Sequence, residues 1–111
     1  MKNRKYCIFY RNLYIGESVK RPKHVKWKLE HGAGQFTIYC VTGAQTDSDQ
    51  LDILHCAFLK QLYYAVHLAC VYAIAGSYEE AVDLIVRISD EALVCGLGGQ
   101  LRTYLDRNVQ S

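Results

Sequence analysis

The residues that could support catalysis or hold a metal are the four histidines and five cysteines, and their spacing assembles no recognised site. A nucleophilic site needs Ser or Cys beside a base that a third group orients, and no histidine stands in such a motif. His55 and His67 lie twelve residues apart, and Cys56 and Cys70 fourteen apart, too far to share a ligand on the helix predicted for this segment. The sequence also lacks the Cys-x2-Cys and His-x3-His pairs of zinc sites.

Two further clusters of residues have local explanations. Glu79, Glu80 and Asp83 lie at a predicted helix start, where acids interact with the helix dipole and complete a capping box. Three glycines at positions 96, 98 and 99 follow no predicted strand and precede no phosphate-binding lysine, so they indicate a helix stop. We therefore expect a protein that is not an enzyme and that uses neither a cofactor nor a metal.

The charge of the chain is divided along its length. Residues 1–31 hold nine Lys or Arg and two Glu, a net charge of +7. Residues 32–111 hold four Lys or Arg and nine acids, a net charge of −5. Such a division is informative about partners and association rather than about fold.

Cysteine usage and hydropathy bear on the compartment. An odd number of widely spaced cysteines, and a basic start that no long apolar run follows, favour reduced thiols in the cytoplasm. Residues 56–75 are mostly apolar, but Lys60 and His67 interrupt them. We therefore expect no membrane span there.

The elements that must position the basic residues are strands within residues 5–42. Aromatic and β-branched runs predict four strands, at residues 6–10, 13–15, 24–29 and 35–42, with a turn at 11–12. In the third, Val25, Trp27 and Leu29 alternate with lysines, the pattern of a half-buried strand. The expected product is a three- or four-stranded antiparallel meander.

Residues 47–107 are predicted to be helical. A first helix begins after N-cap candidates at 46–49 and continues without Gly or Pro to Gly76, so it is long, mostly apolar and central. Ser77 is the predicted N-cap of a second, antiparallel helix, and a short C-terminal helix follows. With the meander packed on the long helix, the sequence predicts a single α+β domain over residues 1–111.

The turn between the first two predicted helices is flanked by Ala65, Leu68, Ala69, Tyr72, Ala81 and Ile85. These positions follow in outline the spacing W-x2-L-G-x2-Y, then A-x3-F, so the segment resembles a tetratricopeptide repeat. The match occurs once, and the family's large aromatic residue, glycine and closing proline are replaced or missing. The resemblance implies a tight helical hairpin over residues 65–85 and, by extension, peptide binding.

The basic N-terminal third suggests nucleic-acid binding. Cations and aromatic residues alternate there, the mixture used for phosphate contacts and base stacking. The candidate cations are Lys20, Arg21, Lys23, Lys26 and Lys28. Against this interpretation, the strand pattern places Trp27 in the core, and lysines on a strand commonly protect a sheet edge. The sequence pI of 8.3 is also below the basic range usual for such domains.

A protein partner is the main expectation. Oppositely charged surfaces without a catalytic set suit rapid docking of a charged protein. The acidic candidates for contact are Asp47, Asp49, Asp52, Glu79, Glu80 and Asp83. We therefore predict a non-enzymatic protein-binding module, an inhibitor, immunity protein or adaptor that docks a partner such as a toxin. The alternative is nucleic-acid binding through the basic third, and the oligomeric state stays open.

Overall fold

A computed structural model describes residues 5–32, 37–44, 50–65 and 69–110. These residues form, in chain order, β1 (Cys7–Ile15), α1 (Pro22–His31), β2 (Tyr39–Gly43), β3 (Leu51–His55), α2 (Phe58–Ala65), β4 (Ala69–Ala75), α3 (Tyr78–Val94) and α4 (Leu101–Gln110). The strands make one mixed sheet in the order β1-β4-β2-β3. β1 and β4 run parallel, whereas β2 is antiparallel to both β4 and β3.

The strand β4 lies inside this sheet, between β1 and β2. Its sequence is apolar without interruption, the composition typical of a strand covered on both faces. Val71 and Ile74 enter one hydrophobic core, whereas Tyr72 and Ala75 enter another. The sheet therefore separates two cores, and each core needs its own layer of helices.

Each face of the sheet is covered by a different pair of helices. Val25 and Leu29 of α1 and Leu59 of α2 pack in the first core, which also contains Val71 and Ile74. The second core is formed with α3 and α4 and contains Leu84, Ile88, Leu101 and Leu105. Helices α1 and α2 therefore lie on one side of the sheet, and α3 and α4 lie on the other.

The predicted N-terminal meander is wrong in two places. β1 continues through the predicted turn at 11–12, which becomes an irregularity of pairing between Phe9 and Tyr14. Residues 24–29 belong to helix α1, whose first turn contains Pro22. Gly32 ends that helix at φ 63°, and its N–H donates to the carbonyl of Lys28. Pro near a helix start and Gly just past its end are the ordinary signals of helix boundaries.

The predicted long helix is also wrong, because β3, α2 and β4 occupy most of its length. Ala69 and Tyr72 lie in β4, so the helical hairpin implied by the tetratricopeptide resemblance is not formed. Uniform apolarity over residues 69–75 suits a buried strand as well as a buried helix, and β4 has neighbours on both sides. Strands and helices are consequently interspersed along the described chain, in place of a β-rich part at 5–42 and a helical part at 47–107.

The end of the chain follows its prediction. Ser77 is the N-cap of α3, and its hydroxyl accepts a hydrogen bond from the Glu80 N–H at 3.1 Å. Ala81 and Ile88 are buried on the predicted side of α3. The observed class is therefore α+β, with a long helix packed on a four-stranded mixed sheet.

Replacing Ile74 with Ala tests the central position of β4. Ile74 is 0% exposed, and truncating such a side chain costs about 2–5 kcal/mol through lost burial and the cavity left behind. Val94→Ala, at the exposed end of α3, is the control and is expected to change stability by less than about 0.5 kcal/mol. Urea unfolding measures both, and equal small effects would contradict the two-sided burial of β4.

Candidate functional site

Helix α1 positions the basic candidates on one side of the molecule. Lys23, Lys26 and Lys28 lie on α1, and Lys20 and Arg21 immediately precede it. The first turn of α1 contains no acidic residue. Neither Lys20 nor Lys23 makes an ion pair with any residue that the structure describes. The sequence-predicted basic set is therefore brought together, on a helix rather than on a strand.

Trp27 lies on the solvent side of α1, contrary to its prediction as a core residue. Val25 and Leu29 are four residues apart and are buried on the same side of the helix, whereas Trp27 is 53% exposed. Its ring stacks on His31 with 4.5 Å between ring centres. The Nδ1 of His31 lies 2.8 Å from the Trp27 carbonyl oxygen, and because a carbonyl only accepts, that nitrogen carries the proton. The stack is therefore held in place by the helix itself.

A second aromatic group lies beside the C-terminal end of α1. Tyr6 contacts Tyr63 edge-on with 5.3 Å between ring centres, and Tyr64 packs against both. The ammonium of Lys60 lies 5.3 Å from the centre of the Tyr6 ring. A Cβ on Gly32 would lie 3.1 Å from the Tyr6 ring, so this group directly adjoins the helix end.

We call this combined surface the basic aromatic face and define it by residues of α1, of α2 and of the segments that immediately precede α1 and β1. It comprises Lys20, Arg21, Lys23, Lys26, Trp27, Lys28, His31, Tyr6, Lys60, Tyr63 and Tyr64. Sequence analysis found its cations but not Lys60 and the tyrosines of α2. Their proximity to Tyr6 depends on tertiary packing, and no local pattern could have revealed it.

The acidic candidates are not brought together as one set. Asp47 and Asp49 lie outside the described residues. Asp52 is half-buried in β3, where it pairs with Thr42 of β2. Glu79 and Asp83 are exposed on α3, on the side of the sheet away from α1. The charge division of the sequence thus becomes a separation across the sheet.

Glu80 is partly exposed, and its carboxylate is used for hydrogen bonds within the fold. Its carboxylate accepts hydrogen bonds from the Ser18 hydroxyl at 2.6 Å, the Ser18 N–H at 3.0 Å and the Gly76 N–H at 2.7 Å. The hydrogen bond from the Ser18 hydroxyl, followed by that from Gly76, lowers the pKa of Glu80. A Cβ at Gly16 would collide with this carboxylate. Glu80 therefore joins the loop after β1 to the start of α3.

Glu80→Gln is expected to lower stability in a pH-dependent way. Because the folded-state pKa of Glu80 is lowered, its contribution is present at neutral pH and is lost as pH falls from about 5 toward 3. The free energy of unfolding of E80Q should lie about 1 kcal/mol below that of the unmodified protein at pH 7. That difference should disappear in acid.

Glu79→Gln is the matched control, because Glu79 is exposed in the same helix turn. Urea unfolding of both variants between pH 3 and pH 7 measures the difference. Superimposable pH profiles for E79Q and E80Q would show that the Glu80 hydrogen bonds contribute nothing.

Helix α3 presents an apolar stripe to solvent beside its buried side. Tyr78, Val82 and Val86 follow one another at four-residue spacing, and Leu93 continues the line two turns later. Val86 is 52% exposed and Leu93 is 67% exposed. Acidic residues border the stripe along one flank: Glu79, Asp83 and Asp90. We call this combination the α3 outer face.

Beyond the acidic flank, α3 is fixed by a polar network. Glu91 accepts hydrogen bonds from the hydroxyls of Tyr14 at 2.5 Å and Tyr104 at 3.1 Å, and Arg87 lies 3.3 Å from its second oxygen. Burial opposes ionisation of Glu91, yet these hydrogen bonds keep its pKa below the ordinary value. Burial and the bond to Glu91 raise the pKa of Tyr14. Because the hydrogen-bonding groups of these side chains pair with one another, the network has a structural role and connects β1, α3 and α4.

Neither the two fully buried thiols nor the neighbours Cys56 and His55 form an activated nucleophile. Burial raises the pKa of Cys7 to about 12 and raises that of Cys40 well above its ordinary value, so both stay protonated. The Sγ of Cys56 lies 3.9 Å from the Nδ1 of His55, but that nitrogen already accepts the Ala57 N–H at 3.1 Å. Within the described part of the chain, no cluster of three His, Cys, Asp or Glu residues could hold a metal.

Comparison with known proteins finds no matching family model, no matching curated protein and no matching solved structure. Among the described helices, none combines the length and apolarity needed to cross a bilayer. The basic aromatic face and the α3 outer face are therefore the two surfaces from which function is inferred.

Proposed function

We propose that the protein is a non-catalytic docking module that binds another protein through the α3 outer face. The observation that carries this proposal is the exposed apolar stripe Tyr78, Val82, Val86 and Leu93 beside an acidic flank. Contiguous apolar residues rimmed by charge are characteristic of protein interfaces, where an apolar centre supplies affinity and the rim supplies selectivity.

The acidic flank specifies the chemistry of the partner. Glu79, Asp83 and Asp90 make no ion pair with any other described residue. A partner that places Lys or Arg beside an apolar patch would match both parts of the face and would associate rapidly. This chemistry fits the basic surface of a nuclease or another toxin, so an inhibitor, immunity protein or adaptor is the role that we propose.

A second copy of this chain is a poorer match. In a symmetric pair of antiparallel α3 helices, the two-fold axis places the same flank of each helix on the same side. Glu79, Asp83 and Asp90 of one copy would then lie along those of the other, and like charges at an interface oppose association. The α3 outer face is therefore assigned to a different, basic partner.

A photo-crosslinking amino acid at position 86 tests this assignment in the cells from which the protein comes. We expect one predominant crosslinked protein with a basic surface, because Val86 is at the middle of the stripe. The control carries the same crosslinker in place of Arg107, an exposed residue of α4. Equal labelling of that protein from both positions would contradict docking through α3.

Titration of the purified crosslinked partner provides the quantitative test. Val86→Asp introduces a charge at the apolar centre and is expected to raise Kd at least about 30-fold, the size of an interface hot spot. Asp83→Lys should mainly slow association, because it reverses a rim charge. Unchanged Kd for V86D, with its fold verified by circular dichroism, would overturn the proposal.

A further inference from the structure

The basic aromatic face is a second surface, and the proposed docking function does not use it. It lies on the side of the sheet opposite to α3, since α1 and α2 pack in one core and α3 packs in the other. An occupant of either surface would leave the other accessible. The basic aromatic face therefore needs its own explanation.

The aromatic rings of this face are arranged for contact with flat groups. Trp27 stacks on His31 and is more than half exposed, although a Trp ring gains more from burial than almost any other side chain. Beside the end of α1, Tyr64 is 60% exposed and packs against Tyr6 and Tyr63. Two groups of rings thus lie on one surface, joined through the end of α1.

Cations surround both groups of rings. Lys23 and Lys28 lie on α1 within one turn of Trp27, and Lys60 lies over Tyr6. The nearest acid on α1, Glu30, is occupied by Lys5 at 3.8 Å. The surface consequently combines positive charge with accessible ring faces.

We infer that the basic aromatic face binds single-stranded nucleic acid. Unpaired bases stack on exposed aromatic rings while lysines contact the phosphates between them, and this combination needs no particular sequence. A duplex is a poorer fit, because its base faces are already covered by neighbouring base pairs. Two of the three sequence-based objections to nucleic acid also lapse, since Trp27 lies outside the core and the lysines lie on a helix rather than at a sheet edge.

An anionic membrane surface is also a poorer fit. A basic helix binds the bilayer interface by inserting its apolar side. The apolar side of α1, Val25 and Leu29, is already buried against the sheet. Insertion would require α1 to leave the core, whereas stacking of bases on Trp27 requires no rearrangement.

Trp27 gives a direct test, because it is the single tryptophan of the chain. Its fluorescence is recorded while the full chain is titrated with oligo(dT) or oligo(U) of about 12 nucleotides, the range that small single-strand-binding domains cover. We expect saturable quenching that weakens with salt. Each phosphate contact contributes about −0.7 to the slope of log K against log salt, and Lys23→Ala should reduce the slope by that amount.

Variants separate the contribution of base stacking from that of general charge. Because Trp27 variants lose the tryptophan fluorescence, their binding is measured with a labelled oligonucleotide. Trp27→Ala should weaken binding about 5- to 150-fold, the range for loss of one stacked base, and Trp27→Tyr should restore most of it. Arg107→Ala removes an exposed cation on the other side of the sheet and should leave affinity within about twofold. Trp27 is exposed, so its variants are expected to fold.

Three results would overturn the inference. One is tighter binding to a duplex of the same sequence than to the single strand. Another is an equal loss of affinity in Arg107→Ala and Lys23→Ala, which would indicate unspecific attraction. The third is a response of Trp27 to vesicles of phosphatidylserine and phosphatidylcholine but not to either oligonucleotide.

Discussion

The rest of the structure depends on the burial of β4 on both faces. Its residues Ala69–Ala75 carry no charge and lie between β1 and β2, so apolar side chains project from both sides of the sheet centre. Exposing either side to water would be unfavourable in proportion to its apolar area. Helices must therefore cover both faces, and the chain supplies α1 and α2 to one face and α3 and α4 to the other.

This layering determines where the charges of the sequence lie. The basic N-terminal third includes α1, and the acidic remainder includes α3, so the sheet separates the two signs. Glu80 fixes one connection between the layers, because it ties Ser18, in the loop after β1, to the start of α3. Each outer surface consequently has a single dominant charge and its own exposed apolar or aromatic residues.

Elements with local signals could be predicted from the sequence, and elements that depend on neighbours could not. Ser77 and Glu80 define the start of α3, and its apolar residues recur at helical spacing, so that helix needs no tertiary information. By contrast, the four-residue spacing of Val25 and Leu29 places them on the same side of either a strand or a helix. That spacing therefore does not distinguish the two elements. Pro22 and Gly32 were the signals that favour the helix. In β4 the apolar residues have no period, and only pairing with β1 and β2 selects a strand.

The same distinction between local sequence signals and tertiary packing applies to the candidate surfaces. The cations Lys20 to Lys28 form a group by sequence proximity, whatever element carries them. The exposure of Trp27 depends on whether residues 22–31 are a strand or a helix. Because a strand was predicted, Trp27 was expected in the core. The contact of Tyr6 with Tyr63 joins residues far apart in sequence, so only the fold brings them together. Val82 and Val86 lie outside the side of α3 that was predicted to be in the core. Only the structure shows that they form an exposed stripe, because nothing in the described fold covers them.

Backbone NMR of residues 69–75 tests the central claim most directly, because these residues are a strand in the structure and part of the long helix predicted from the sequence. The structure predicts extended-chain chemical shifts there, with cross-strand contacts between Cys7 and Ala69 and between Ile15 and Ile74. Uninterrupted helical shifts from residue 50 to residue 75, without those contacts, would contradict the sheet and the separation of surfaces that follows from it.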